Sequence, residues 1–317
     1  MKTTATVTDP EVFLVGRPNL DASELFNFLE SNDAELWTTD ALSDSLKIPE
    51  VAGRLCYQSY SRPRPGGNVA YLDHIKEVGH GSVLEHSTWN FILQGVSRSL
   101  THELVRHRVG TAFSQLSQRY VDSSQVQFVV PPQLELEVEC CLYRRLVSGC
   151  DEKGQTDEKA AFTRPIDRKY EADEKYPNAK AVVSIDRFHD LADAGERWLD
   201  SMEKSRSDYE YLTSYLSNKI AGESSGNKTE DRKKAREAAR SVLPNATETK
   251  LFLSANARAL RHFFSLRCSR HADAEIRRLA IKMLRTMQLE APALFDDFVI
   301  STLPDGYEEA TTPYPKV

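Results

Sequence analysis

The sequence predicts a mixed α/β fold. Short apolar runs with strand character are separated by segments of helical spacing. One of those segments is long and amphipathic, and no internal repeat is present. In order, Val12 to Val15 reads as a short buried strand, and Pro63, Pro65, Gly66 and Gly67 mark a loop. In the next segment, His80 to His86, Ser82 and Glu85 stand at capping-box spacing. Trp89, Phe91 and Leu93 alternate with polar neighbours, as in a half-buried strand. From Ser99 the pattern turns helical, with Leu100 and Leu104 four apart, and this helix is expected to run to Arg106-His107-Arg108. A loop is expected to follow. Val126 to Val130 reads as a strand, stopped by Pro131 and Pro132.

The stretch from Cys140 to about Asp186 contains DEKGQTDEK and RKYEADEK and few apolar residues. It reads as a solvated charged insertion, placed at about 141–187. Phe188, Leu191, Trp198, Met202, Tyr209, Leu212 and Leu216 recur mostly at helical spacing and predict a long amphipathic helix. GESSGNKTED reads as a loop, and Asp231 to Val242 as a basic helix ended by Pro244. Lys250 to Leu253 looks like a strand, and Ala255 to Leu266 and Asp273 to Leu289 like two further helices. The whole chain, 1–317, is expected to form one domain with the insertion hanging from it.

Composition narrows the function classes. The 317 residues carry 41 Lys+Arg against 47 Asp+Glu, a formal net charge of −6, with 40% apolar residues. That balance fits a globular protein and argues against general disorder. A chain of this length buries enough surface to need no disulfide or metal staple. No apolar run is long enough to span a bilayer. The first residues carry one Lys and no long apolar core, unlike a secretory signal. Cys56, Cys140, Cys141, Cys150 and Cys268 form no CxxC pair, so neither a zinc site nor a disulfide framework is indicated, and a cytoplasmic location is expected. Net acidity disfavours broad duplex nucleic-acid binding, although a local basic pocket for a small anion remains open.

The densest chemical signal is Arg106-His107-Arg108-Val-Gly-Thr-Ala-Phe-Ser114-Gln115-Leu-Ser117-Gln-Arg119-Tyr120. The helix dipole accounts for one or two cations at a helix C-terminus. It does not account for four basic groups interleaved with Ser and Gln, a set that suits an anion joined to a polar heterocycle. On a helix Arg106 and Arg108, two apart, would point to nearly opposite sides and serve two ligands or two subunits. His80, His86 and His102 have spacing that fits no closed metal site, so packed or capping histidines are expected and no metal.

This segment resembles the signature of the flavin-dependent thymidylate synthases, an Arg-His-Arg followed by a Ser-containing loop and Ser-x-Arg-Tyr. Further segments resemble that family: Gly53 to Gln58, His80 to His86, Thr101 to Arg106, Ala239 to Asn245, Asn256 to His262 and Leu266 to His271. The resemblance covers most of the chain except the insertion and the extreme ends. Two features depart from it. The segment between Arg-His-Arg and Ser117, Val109 to Leu116, is one residue longer than usual, and the charged insertion is longer than the family's helical connection.

The resemblance implies a central mixed sheet with long helices. It also implies methylation of dUMP at uracil C5 with methylenetetrahydrofolate as carbon donor, FAD as hydride carrier and NADPH as reductant. The same C5 methylation of UMP, as in relatives from nucleoside-antibiotic pathways, is the alternative that the longer segment keeps open. Homotetramers with shared active sites are implied, with no membrane and no DNA partner. By the same resemblance Ser82, Arg106, His107, Arg108, Asn256, Arg258 and His262 match flavin-contacting positions, with Glu85 a weaker one. Glu103, Arg106, Gln115, Ser117, Arg119, Arg240 and Arg267 match nucleotide-binding positions, and Gln115 also stands near the flavin. Arg267 matches the residue that favours ionisation at uracil N3.

Elementary chemistry limits that last role. Arginine stays protonated in proteins, so Arg267 stabilises an anionic pyrimidine rather than removing its proton. Such a ring is electron-rich at C5 and needs no enzyme thiolate. Cys268 adjoins Arg267 but has no positioned base beside it in sequence, and an inert thiol is expected. Ser82 also fits a plain helix cap, and Glu103 either a surface carboxylate or a holder of a neighbouring Arg. Two other classes compete: an RNA-binding protein using the basic loop, and a histidine-based metal hydrolase. Net acidity and few aromatics near the loop weigh against the first.

Overall fold

A computed structural model describes residues 6–148, 185–223, 227–304 and 306–317. They divide into two units, residues 9–121 with 245–317, and residues 6–8 with 122–244. The first is built on a four-stranded sheet, ordered β2 (Glu11–Gly16), β3 (Thr88–Ser97), β6 (Glu248–Asn256) and β4 (Thr111–Gln115). Every pair in it is antiparallel. The α+β class is therefore as the sequence predicts, whereas the sheet is purely antiparallel rather than mixed.

Strand alternation decides which face is buried. Trp89, Phe91 and Leu93 of β3 and Leu251, Leu253 and Ala255 of β6 point into the core. There they meet α8 (Ala257–Arg267) through Leu260, Phe263 and Phe264, and α9 (Ala274–Glu290) belongs to the same core through Ile276, Leu279, Met283 and Leu284. Among the described residues the opposite face is left open to solvent. Phe13, Ile92 and Phe252 form one cross-strand row on it and are 45%, 36% and 42% exposed.

Three helices of this unit went unread in the sequence: α1 (Ala22–Glu30), α2 (Asp44–Tyr57) and α3 (Gly67–Glu77). Pro49 inside α2 hides that helix from a propensity reading. α4 (Arg98–Leu104), the short α10 (Pro292–Phe295) and the hairpin of β7 (Val299–Thr302) and β8 (Glu308–Thr311) complete the unit.

A buried ion cluster ties α8 to the chain after α10. Arg261 donates to both carboxylate oxygens of Asp297, at 2.6 and 2.9 Å, and to the Leu294 carbonyl at 2.6 Å. Lys76 of α3 donates to the Ala293 carbonyl at 2.9 Å and reaches Asp297 at 3.3 Å.

The second unit pairs β1 (Thr6–Val7) with β5 (Phe128–Val129) in parallel. Its body is α5 (Glu135–Ser148), the long α6 (Ile185–Glu223) and α7 (Lys228–Ala239). Gly195 lets α5 and α6 approach closely, since a Cβ there would lie 2.1 Å from the Glu137 carbonyl oxygen. Cys140 and Cys141 are buried between helices. Arg144 bonds Asp193 at 2.6 Å, and Arg145 bonds Asp200 at 2.9 Å and Glu196 at 3.1 Å. The solvated insertion was expected to begin near Cys140. Residues 141–148 instead finish a packed helix, and 185–187 begin the next. The rest of that stretch, with Cys150, lies outside the described residues, as do 224–226 of the expected GESSGNKTED loop.

Candidate active site

The site forms where β4 and β6 meet the start of α8. Helix α4 stops at Leu104, with Val105 as its C-cap, so Arg106-His107-Arg108 stands beyond the helix rather than on its last turn. The helical argument that set Arg106 and Arg108 on opposite sides therefore does not apply. The reason is local. The chain must turn back at once to enter β4, and Gly110 makes that turn with φ +71°. A Cβ at Gly110 would lie 2.6 Å from the Asn256 side chain, so only glycine permits the approach. Residues 111–115, expected as loop, are strand β4, paired with β6 from Thr111↔Ala255 to Gln115↔Leu251. Polar Thr111 and Gln115 on the sheet's core-facing side disguised that strand.

Within the turn Arg106 and Arg108 are exposed, and their guanidinium groups bond to no described residue. His107 faces inward. Its ring meets Phe263 edge-on at 5.2 Å and His262 at 6.0 Å. Arg267 Nε donates to His107 Nε2 at 3.0 Å, and Arg267 Nη1 to Glu103 Oε2 at 2.6 Å. Glu103 is thus the holder of a neighbouring Arg and not an idle surface carboxylate. Arg267 Nη2 keeps its two N–H donors without a partner among the described residues.

That hydrogen bond fixes the chemistry of His107. A nitrogen that accepts from a guanidinium carries no proton, so the ring is neutral with its proton on Nδ1. Burial, then the charges of Arg267 and His262, push the His107 pKa from 6.5 down to about 4. The folded protein therefore binds fewer protons here than the unfolded chain between about pH 4 and 6.5. The contribution to stability is present above pH 6.5 and lost as pH falls through that window. The expected result in an NMR pH titration is a His107 imidazole that stays neutral down to pH 5. A midpoint near 6.5 would contradict the Arg267 contact.

On the other side of His262 lies a cleft of about 330 Å³, lined by Glu85, Val109, Asn256, Arg258, Ala259, His262, Lys316 and Val317. Arg258 and His262 lie one turn apart on the exposed side of α8, and Asn256 caps that helix by accepting from the Ala259 N–H at 2.9 Å. Arg258 Nη1 pairs with Glu85 at 2.6 Å. The capping box expected at Ser82 and Glu85 does not form. Gly81–His86 is a 3-10 turn whose N-cap, His80, makes no side-chain cap bond, and Ser82 is exposed. The Glu85 carboxylate is drawn to Arg258 instead of to the backbone of the turn. His80 itself stacks on Tyr57 at 5.8 Å.

Gln115 Nε2 donates to Thr101 Oγ1 at 3.0 Å and to Thr249 Oγ1 at 3.4 Å. Ser117 accepts from the Arg119 N–H at 3.4 Å in the turn that follows β4. Arg240 belongs to the helical unit, half-buried at the start of the 3-10 turn Arg240–Val242. Cys268 is fully buried, and burial pushes its thiol pKa up, away from the thiolate a nucleophile needs. Sequence reasoning missed Thr101, Thr249, Phe263 and Lys316. The first three sit on core-facing positions where a hydroxyl or ring reads as packing.

Comparison with known proteins places the chain in a family. The family described as "Thymidylate synthase complementing protein" matches residues 38–293. A protein named flavin-dependent thymidylate synthase from Mycobacterium sp. (strain JLS) is 42% identical over 281 residues, covering 87% of this chain and 89% of the relative. Its namesake from Mycobacterium marinum is 42% identical over 279 residues, covering 87% of this chain and 88% of the relative. Among solved structures, a UMP/dUMP methylase from Streptomyces cacaoi bound with 5-Br dUMP superposes with a TM-score of 0.53 at 20% identity. It covers 92% of this chain and 95% of that one, a likeness of fold. The chain thus belongs to the thymidylate synthase complementing protein family, that of the flavin-dependent thymidylate synthases.

Proposed function

We propose that this protein methylates uracil C5 of dUMP to form dTMP, with methylenetetrahydrofolate as carbon donor and NADPH as reductant. The observation that carries the reading is Arg267, held by Glu103 and neutral His107 with Nη2 left open, beside a cleft lined by Arg258, His262 and Asn256. The donors of that cleft suit a phosphate-bearing cofactor, and Gly110 lets the backbone approach Asn256 at its edge. Bound FAD supplies the hydride that no side chain can supply.

The chain's own residues orient and polarise. Ser82, Arg106, His107, Arg108, Asn256, Arg258 and His262 hold the flavin, with Glu85 steering Arg258. Ser117, Arg119 and Gln115 hold the nucleotide, and the family resemblance adds Arg240. Arg267 stabilises the anion left at uracil N3 once its proton has passed to solvent water, which raises electron density at C5. Glu103 keeps Arg267 in place.

The whole chain acts as one flavin-dependent thymidylate synthase-like domain in a cytoplasmic homotetramer. A cleft of about 330 Å³ is near the lower end of ligand pockets, which is compatible with a second chain contributing to the site. The bare apolar row of Phe13, Ile92 and Phe252 supports self-association. Phe252→Glu is expected to shift the species seen by light scattering from tetramer to a smaller assembly. An unchanged mass would remove this face from the interface. No helix among the described residues is long and apolar enough to cross a membrane.

The longer segment from Val109 to Leu116 keeps a second reading open, the same methylation of UMP. One experiment tests both. Purified protein should be yellow, bleach with NADPH, and convert dUMP to dTMP when methylenetetrahydrofolate is added. Robust methylation of UMP with none of dUMP would overturn the first reading in favour of the second.

A further inference from the structure

We propose that Thr101 and Thr249 are positioning residues that lock the side-chain amide of Gln115, so that it meets the nucleotide only as a hydrogen-bond acceptor. The proposal rests on the reading of Gln115 as a nucleotide contact.

Thr101 Oγ1 donates its single proton to the Arg98 carbonyl at 3.0 Å, within α4. Its remaining capacity toward Gln115 is therefore that of an acceptor. An amide oxygen turned toward it would place two acceptors face to face, so the amide nitrogen is the atom that points at Thr101. The second N–H of Gln115 Nε2 reaches Thr249 at 3.4 Å. Both amide protons are thus engaged inside the protein.

The supports are rigid. Thr101 is buried on α4, and Thr249 is fully buried on β6, beside β4. Gln115 is half-buried at the end of β4. Its Oε1 bonds to no described residue and is not sealed in the core. Gln115 therefore presents one group, a carbonyl oxygen with free lone pairs. It selects an N–H or O–H donor on the nucleotide and offers nothing to a phosphate or to a pyrimidine carbonyl. The anion is left to the guanidinium groups, and a free amide donor does not compete for it.

The test is a double-mutant cycle on nucleotide KM in the flavin-loaded enzyme, with Thr101→Val, Thr101→Ser, Gln115→Ala and the Thr101→Val/Gln115→Ala pair. Thr101→Val keeps the shape and removes the acceptor. It is expected to raise KM about tenfold with the flavin still bound, the scale of one hydrogen bond to a misaligned group. Thr101→Ser is expected to return KM to within about twofold of the parent. In the Gln115→Ala background Thr101→Val is expected to add nothing, because its effect passes through the amide. An unchanged KM in folded Thr101→Val, beside a raised KM in Gln115→Ala, would overturn the positioning role alone. The same holds if the two effects multiply in the pair. An unchanged KM in Gln115→Ala would overturn both this proposal and the reading of Gln115 as a nucleotide contact. Thr249→Val repeats the test from β6 should Thr101→Val fail to fold.

Discussion

Arg267→Ala is expected to lower the rate of dUMP methylation by about 10²–10³-fold while the flavin stays bound and NADPH still bleaches it. The reasoning is geometric. Arg267 spends Nε on His107 and Nη1 on Glu103, and the open Nη2 is the group available to a ligand. Removing it deletes charge stabilisation where negative charge develops, and leaves the cleft lined by Arg258, His262 and Asn256 intact. Arg267→Lys should recover only part of the rate, since an ammonium cannot satisfy Glu103, His107 and a ligand with the same planar fork. Turnover and flavin reduction, measured separately on one preparation, check this. Unchanged turnover in Arg267→Ala would remove the proposed role at N3.

The second large effect is on stability. Asp297→Ala is expected to destabilise the fold by about 3–5 kcal/mol, measured by denaturant unfolding, because it strands buried cations. Arg261 is 1% exposed and Asp297 8%. Burial alone would raise the Asp297 pKa, but the bonds from Arg261, with Thr312 and Lys76, outweigh it and hold the carboxylate below its usual range. A lowered folded-state pKa means the stability is present at neutral pH and is lost as pH falls through the acid range. Arg261 lies on α8 between Arg258 and His262, so the ion pair also sets the helix that presents both to the cleft. Loosened flavin binding is expected to accompany the lost stability. A loss below about 1 kcal/mol would mean that the cluster relaxes to water.

Much of this site is legible in the sequence, and the limits are physical. The alternation of Trp89, Phe91 and Leu93 identifies a strand because one of its faces is buried. The spacing from Phe188 to Leu216 identifies α6 for the same reason. The reading fails where function or backbone demand overrides pattern. Thr111 and Gln115 break the alternation of β4, so a strand reads as a loop. Arg106 to Arg108 extend an apolar helix on paper, yet the sheet partner and Gly110 end it at Leu104. Glu85 and Ser82 satisfy a capping spacing, but Arg258 of a distant helix claims Glu85. Chain-distant pairings of this kind, Arg267 with Glu103 and Arg261 with Asp297, have no local signature. They appear only when the fold brings the partners together.

At the centre of this account, guanidinium charge activates the pyrimidine and no sulfur of the enzyme bonds to it. Cys268, the thiol beside Arg267, is sealed in the core and held protonated. The direct test is intact-protein mass spectrometry of enzyme acid-quenched during steady turnover of dUMP. The account predicts the unmodified polypeptide mass at every time point; a species heavier by one nucleotide, mapped to a cysteine, would contradict it.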